Sequence, residues 1–206
     1  MAQKKKLCLA IDTASDQTSV ALCDETGSLA VAELNAARGQ GEALFAMIDQ
    51  VLSGQNKSPK DLTHIAVAVG PGSFTGVRIG LATARGLGLA LKIPVLGVNN
   101  FQIFVRLATG SGKIVLDSKR EDYFVQDFKG GRLIGTPTLK TTDELKKELP
   151  FTAIGNGAKR LSEAIGCAIL DTTKPAAVVI AEIALTQEKE TLPPTPLYLR
   201  EADVTI

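Results

Sequence analysis

The sequence predicts an α/β protein built as two successive units, and three observations carry that prediction. Short apolar runs of strand character alternate with amphipathic helical stretches along all 206 residues. The run "ATGSG" (108–112) is the strongest linker signal in the chain, and strand-like segments restart after it. Composition is that of an ordinary globular protein, 45% hydrophobic and 22% charged, on a chain long enough to bury a sizeable core. On this reading one unit covers residues 1–107 and a smaller one residues 108–206.

The elements follow in order. "LCLAIDTA" (7–14), "SVALCDE" (19–25) and "LAVAELN" (29–35) read as strands, the last two joined by the turn "DETGS". "GEALFAMIDQVLSG" (41–54) places Leu44, Phe45, Ile48, Val51 and Leu52 at helical spacing and stops at Gly54. "LTHIAVAVG" (62–70) is a short apolar strand, a glycine-bearing helix follows it, and "IPVLGVNN" (93–100) is a strand again. Phe101 to Ala108 turn helical. In the second unit "KIVLD" (113–117) and "DYFVQDF" (122–128) are strands joined by the charged turn "SKRE". Helices are expected at 141–149, at 157–165 and from Pro175 to about Glu188, before an extended proline-rich tail.

Several function classes are excluded early. Net charge is +1, which announces neither a nucleic-acid nor a membrane protein. The basic start "MAQKKK" precedes only five apolar residues before Asp12, too few for a signal peptide. No window offers the ~18 apolar residues of a membrane span. Cys8, Cys23 and Cys167 are widely spaced without CxxC, and they read as reduced core cysteines of a cytoplasmic protein.

The most unusual stretch is "VAVGPGSFTGVRIGLATARGLGLAL" (67–91), whose helix contains Gly76, Gly80, Gly86 and Gly88. Four such glycines cost roughly 3–4 kcal/mol of local helix stability against alanine. Phe74, Val77, Leu81, Ala84, Gly88 and Leu91 form one apolar stripe, and Gly72, Gly76, Gly80, Ala84 and Gly88 a small-residue ridge beside it. Such a ridge admits close approach of another backbone, either the chain's own sheet or a helix of another subunit. The turn "GPGS" is neither a P-loop nor GxGxxG nor GxSxG, and Ser73 reads as a helix cap.

Catalytic groups are sparse. His64 is the only histidine and has no HxxxH or HExxH partner. No Asp or Glu lies between Asp61 and Asp117, while Arg78, Arg85, Lys92, Arg106 and Lys113 do. Two features resemble part of a nucleotide site. Asp12 ends a strand before a polar turn, as in the first phosphate loop of actin-like and sugar-kinase-like ATPases. "AIGNGAKRL" (153–161) resembles their adenosine-side glycine turn, with Gly155 and Gly157. Thr13 and Ala14 stand where those ATPases carry a glycine, and a plain strand-end turn former also explains Asp12.

"IDTAS", "SVAL", "RGQGEAL", the 67–91 block, "LDSKREDYFV" and "PLYLR" together resemble the TsaB (YeaZ) family over residues 7 to 200. The resemblance implies a two-lobed actin-like ATPase fold (ASKHA, ribonuclease H-like) with a degenerate nucleotide site at Asp12, Gly155 and Gly157. It implies a non-catalytic subunit, without metal or cofactor, that supports TsaD in threonylcarbamoyl transfer to adenosine 37 of ANN-decoding tRNAs. TsaD is the implied partner through N-lobe helices, with TsaE as a further partner, a homodimer when the chain is alone, and tRNA met through the complex. The interface residues so implied are Leu44, Phe45, Ile48, Leu52, Val77, Gly80, Leu81, Ala84 and Gly88. The TsaD histidine motif has no counterpart in "ARGQGEALFAMI", and Gln40 stands where many TsaB sequences have histidine. The competing expectation is an ATP-dependent enzyme of the sugar-kinase class using Asp12.

Overall fold

The computed structural model describes residues 5–15, 17–35, 39–186 and 191–199. The chain divides into two compact units. The first comprises the described residues of Met1–Val69, Ser73–Asn99 and Thr173–Pro196, the second those of Gly70–Gly72, Asn100–Thr172 and Leu197–Ile206. This partition differs from contiguous halves meeting at 107/108. The helix after the fifth strand packs with the second unit, and the last helix returns to the first.

The first unit is a five-stranded sheet ordered β3-β2-β1-β4-β5. Its strands are β1 (Leu7–Asp12), β2 (Gln17–Asp24), β3 (Gly27–Asn35), β4 (His64–Ala68) and β5 (Val95–Val98). β1 pairs antiparallel with β2 and parallel with β4, with Ile11 opposite Val20 and Val67. Every residue of β1 is buried, as expected of a central strand covered on both faces. Helices α1 (Gln40–Ser53) and α2 (Phe74–Leu91) and the later helix α6 (Ala176–Thr186) supply that cover. Ile11 and Asp12 point to opposite faces of the sheet. A Cβ on Gly80 would lie near Ile11 and Val67, so α2 packs on the Ile11 face. Ser19, opposite Asp12, accepts from the Ala177 N–H, so α6 covers the other face. α6 is apolar on nearly every side, and Ala177–Ala181, Ile183 and Ala184 are buried. Leu192, in the extended tail, pairs with the edge residue Gly97 through two 2.7 Å backbone hydrogen bonds.

The second unit is a sheet ordered β10-β9-β6-β7-β8. Its strands are β6 (Ser111–Asp117), β7 (Asp122–Lys129), β8 (Arg132–Thr141), β9 (Thr152–Ile154) and β10 (Ala168–Ile169). Alternate residues build two cores. Val115, Tyr123 and Val125 pack with Leu145 of α4 (Thr142–Lys146) and Leu161 of α5 (Ala158–Ile165). Ile114, Leu116, Phe124 and Phe128 pack with Phe101 and Val105 of α3 (Asn100–Leu107). The helix expected over 141–149 ends at Lys146, and β8, β9 and β10 are strands that the sequence pattern did not mark. Thr141 caps α4 through a capping box with Glu144. Arg160 organises the turn after β6: it donates to the Tyr123 hydroxyl at 2.9 Å and to the carbonyls of Arg120 and Asp122, and it pairs with Asp117 at 3.1 Å.

Candidate interaction surface

Gly76, Gly80 and Gly88 of α2 face inward. A Cβ on Gly76 would overlap the Thr13 carbonyl oxygen, and one on Gly88 would overlap Val95. A Cβ on Gly80 would sit 2.5 Å from the Thr13 hydroxyl oxygen. The ridge therefore lets α2 lie directly on β1, β4 and β5 of its own sheet. Gly86 is different: nothing lies within 4 Å of a Cβ built there. Ser73 caps the helix, accepting from Gly76 N–H at 3.2 Å, as its position before the helix predicts.

Of the nine residues expected at a partner contact, eight are enclosed in this packing. Leu44, Ile48 and Leu52 of α1 and Val77, Gly80, Leu81, Ala84 and Gly88 of α2 are buried. Phe45 alone among them is open to solvent, at 59% relative exposure. The outward side of α2 carries its own stripe: Phe74, Arg78, Ala82, Arg85, Gly86 and Leu89, all exposed. Leu89 is 82% exposed and Phe74 46%, and the Arg78 guanidinium lies 3.6 Å from the Phe74 ring centroid. The signal for this stripe was present in steps of three and four residues, but sequence reasoning singled out the inward stripe. Phe45 lies on the outward face of α1, whose residue Gly41 neighbours Ile79 of α2.

The residues resembling a nucleotide site fall in separate units, Asp12 in the first and Gly155 and Gly157 in the second. Asp12 is 5% exposed, and its carboxylate accepts from the Ala14 N–H at 2.9 Å. Burial pushes its pKa up to about 6 against that single hydrogen bond. Gly155 and Gly157 are required by close packing on the end of β6: a Cβ on Gly155 would overlap the Val115 carbonyl, and Gly157 N–H donates to that same oxygen at 3.0 Å. His64 holds a 2.8 Å contact between Nδ1 and the Thr63 hydroxyl. Among the described residues no group of three His, Cys, Asp or Glu is placed to hold a metal, and no helix is long and apolar enough to cross a membrane.

Fold and surface define the chain as an α/β protein with an actin-like architecture and an exposed apolar-cationic helix face. A YeaZ structure from Pseudomonas aeruginosa superposes with a TM-score of 0.77 at 23% identity, covering 94% of this chain and 100% of that one. The activator of 2-hydroxyisocaproyl-CoA dehydratase from Clostridium difficile, solved with ADPNP, shares the fold at a TM-score of 0.57 and 10% identity, covering 89% of this chain and 96% of that one. The family model described as TsaD, tRNA N6-adenosine threonylcarbamoyltransferase, matches residues 31–193. The Escherichia coli (strain K12) tRNA threonylcarbamoyladenosine biosynthesis protein TsaB is 41% identical over 91 residues, 44% of this chain and 39% of that protein. Its Buchnera aphidicola namesake is 36% identical over 102 residues, 50% of this chain and 48% of that protein, so the matches span at most about half of these relatives. The chain belongs to the TsaB (YeaZ) family, within the wider group that the threonylcarbamoyltransferase model describes.

Proposed function

We propose that this chain is a non-catalytic subunit in the synthesis of threonylcarbamoyladenosine in tRNA, and that it holds TsaD through the outward faces of α1 and α2. The observation that carries the reading is the stripe from Phe74 to Leu89, apolar with two arginines and with no acidic residue anywhere on α2. Such a face fits a partner helix that offers apolar side chains and carboxylates. Phe45 of the expected set extends this face, while the buried members of that set set the angle at which α1 and α2 present it. TsaD would then transfer the threonylcarbamoyl group to adenosine 37 of ANN-decoding tRNAs, with TsaE joining the assembled pair. Alone, the chain would pair with a second copy through the same face.

Size-exclusion chromatography with light scattering, on the chain mixed with TsaD from the same organism, tests the reading. A one-to-one complex is expected, lost in Leu89→Glu and weakened in Arg78→Glu, with threonylcarbamoylation by TsaD and TsaE lost in parallel. Co-elution of Leu89→Glu with TsaD would place the interface elsewhere.

A further inference from the structure

β5 is an outer strand of the first sheet, beside β4, and its residues Val95, Leu96, Gly97 and Val98 carry no charge. An uncharged apolar edge offers its outer N–H and C=O groups to any strand that meets it. Here both main-chain groups of Gly97 are taken. Its N–H donates to the Leu192 carbonyl and its carbonyl accepts from the Leu192 N–H, each at 2.7 Å. Glycine lets the tail come this close: a Cβ at Gly97 would lie 2.7 Å from the Pro193 carbonyl oxygen and 2.9 Å from that of Leu192. The residues that follow offer no donor to a further strand. Pro193, Pro194 and Pro196 have no N–H, and the Thr195 N–H turns back to the Pro193 carbonyl at 2.7 Å. The tail thus covers an edge without becoming a new one.

We propose that residues 191–196 are an edge guard, which occupies the outer side of β5 and keeps it from pairing with an extended strand of a second copy of this chain. The other sheet edges are protected by different means. β10 is only two residues long, β8 carries Pro137 together with Arg132 and Lys140, and β3 carries Glu33. β5 has neither charge nor proline, and it is the edge on which the tail lies. Gly97 fits the same role, because a glycine inside a strand weakens it and marks a close backbone approach. The guard is held on both sides. α6 before it is buried in the first unit, and Leu199 after it packs against the core that contains Phe101. The inference does not rest on the partner reading.

The test uses the full chain in the Leu89→Glu background, so that pairing through α2 plays no part. Amide exchange by NMR reads the guard, and light scattering over a concentration series reads association. In this background the Gly97 and Leu192 amides are expected to be protected and the chain to stay monomeric. Leu192→Pro removes the N–H that the Gly97 carbonyl accepts. Exchange at Gly97 should then rise at least about tenfold while β1 and β4 amides keep their protection, and the mass should grow with concentration. Gly97→Ala displaces the tail from the strand side and should do the same. The proposal is overturned if Gly97 exchanges freely before any tail substitution, or if Leu192→Pro leaves its protection unchanged. It is equally overturned if Leu192→Pro frees Gly97 and the chain remains monomeric over the same series. Exchange at Gly97 with the tail intact decides the docking even if a variant does not fold.

Discussion

The Thr13 hydroxyl donates to the Gly76 carbonyl at 2.6 Å, and a Cβ on Gly76 would overlap the Thr13 carbonyl. Two backbones therefore meet at one point, and the glycine is what allows it. Gly76→Ala must push one backbone away from the other, and an overlap with a main-chain oxygen does not relax by a rotamer change. A loss of about 3 kcal/mol or more is expected by urea unfolding. Gly86→Ala is the control. With open space around its Cβ, it should stabilise the chain by about 0.8–1 kcal/mol through helix propensity. Equal effects at the two positions would mean that the ridge is not a close approach.

Leu81 and Leu89 lie two helical turns apart on α2, one 3% and the other 82% exposed. Leu81→Glu buries an unpaired carboxylate, so a destabilisation of at least about 3 kcal/mol is expected before any partner is added. Leu89→Glu should change stability by no more than about 0.5 kcal/mol. Thermal unfolding of the isolated variants, followed by co-elution with TsaD, separates a folding defect from an interface defect. Loss of complex in Leu89→Glu at unchanged stability is the expected pattern.

The first sheet and its helices were legible because their apolar residues recur with clear periods: "LCLAID" and "HIAVA" as buried runs, α1 as an amphipathic helix. β8 was not, because Gly135 and Pro137 break the strand pattern and only one neighbour, β7, pairs with it. β9 and β10 are three and two residues long, too short to show a period. On α2 the existence of a helix was legible but its orientation was not. Glycine and alanine carry little hydropathy contrast, so the inward ridge and the outward stripe look alike until Thr13 and Val95 show which side is occupied. The link between Leu192 and Gly97 joins segments too distant in sequence for any local pattern to reveal.

Arg160 reaches the Tyr123 hydroxyl, two carbonyls of the 117–122 turn and the Asp117 carboxylate, with its guanidinium 4.2 Å from the Tyr123 ring centroid. A planar fork with five donors serves these acceptors together, and an ammonium cannot. Arg160→Lys should keep the charge yet lose most of the turn's order, read as faster amide hydrogen exchange across residues 117–122. Retained protection in Arg160→Lys would show that charge alone holds the turn.

Asp12 gives the stability of the first unit a distinctive pH dependence. Its folded pKa of about 6 lies above the ordinary 3.8, so the folded chain holds this proton more tightly than the unfolded one. The protonated carboxyl supports the fold fully below about pH 4. That support is lost as pH rises toward 6, because the charged form is then buried with one hydrogen bond. A displacement of about two units corresponds to about 3 kcal/mol at most. Asp12→Asn should thus be close to neutral at pH 4 and stabilising at pH 7, by up to about 3 kcal/mol. Urea unfolding of both proteins at the two pH values reads the difference and cancels the other carboxylates. The opposite sign, Asn destabilising at pH 7, would mean that the ionised carboxylate is held by a group such as a bound cation. That result would favour the nucleotide-dependent reading of Asp12, and magnesium-dependent ATP binding by the parent chain, lost in Asp12→Ala, would then be expected.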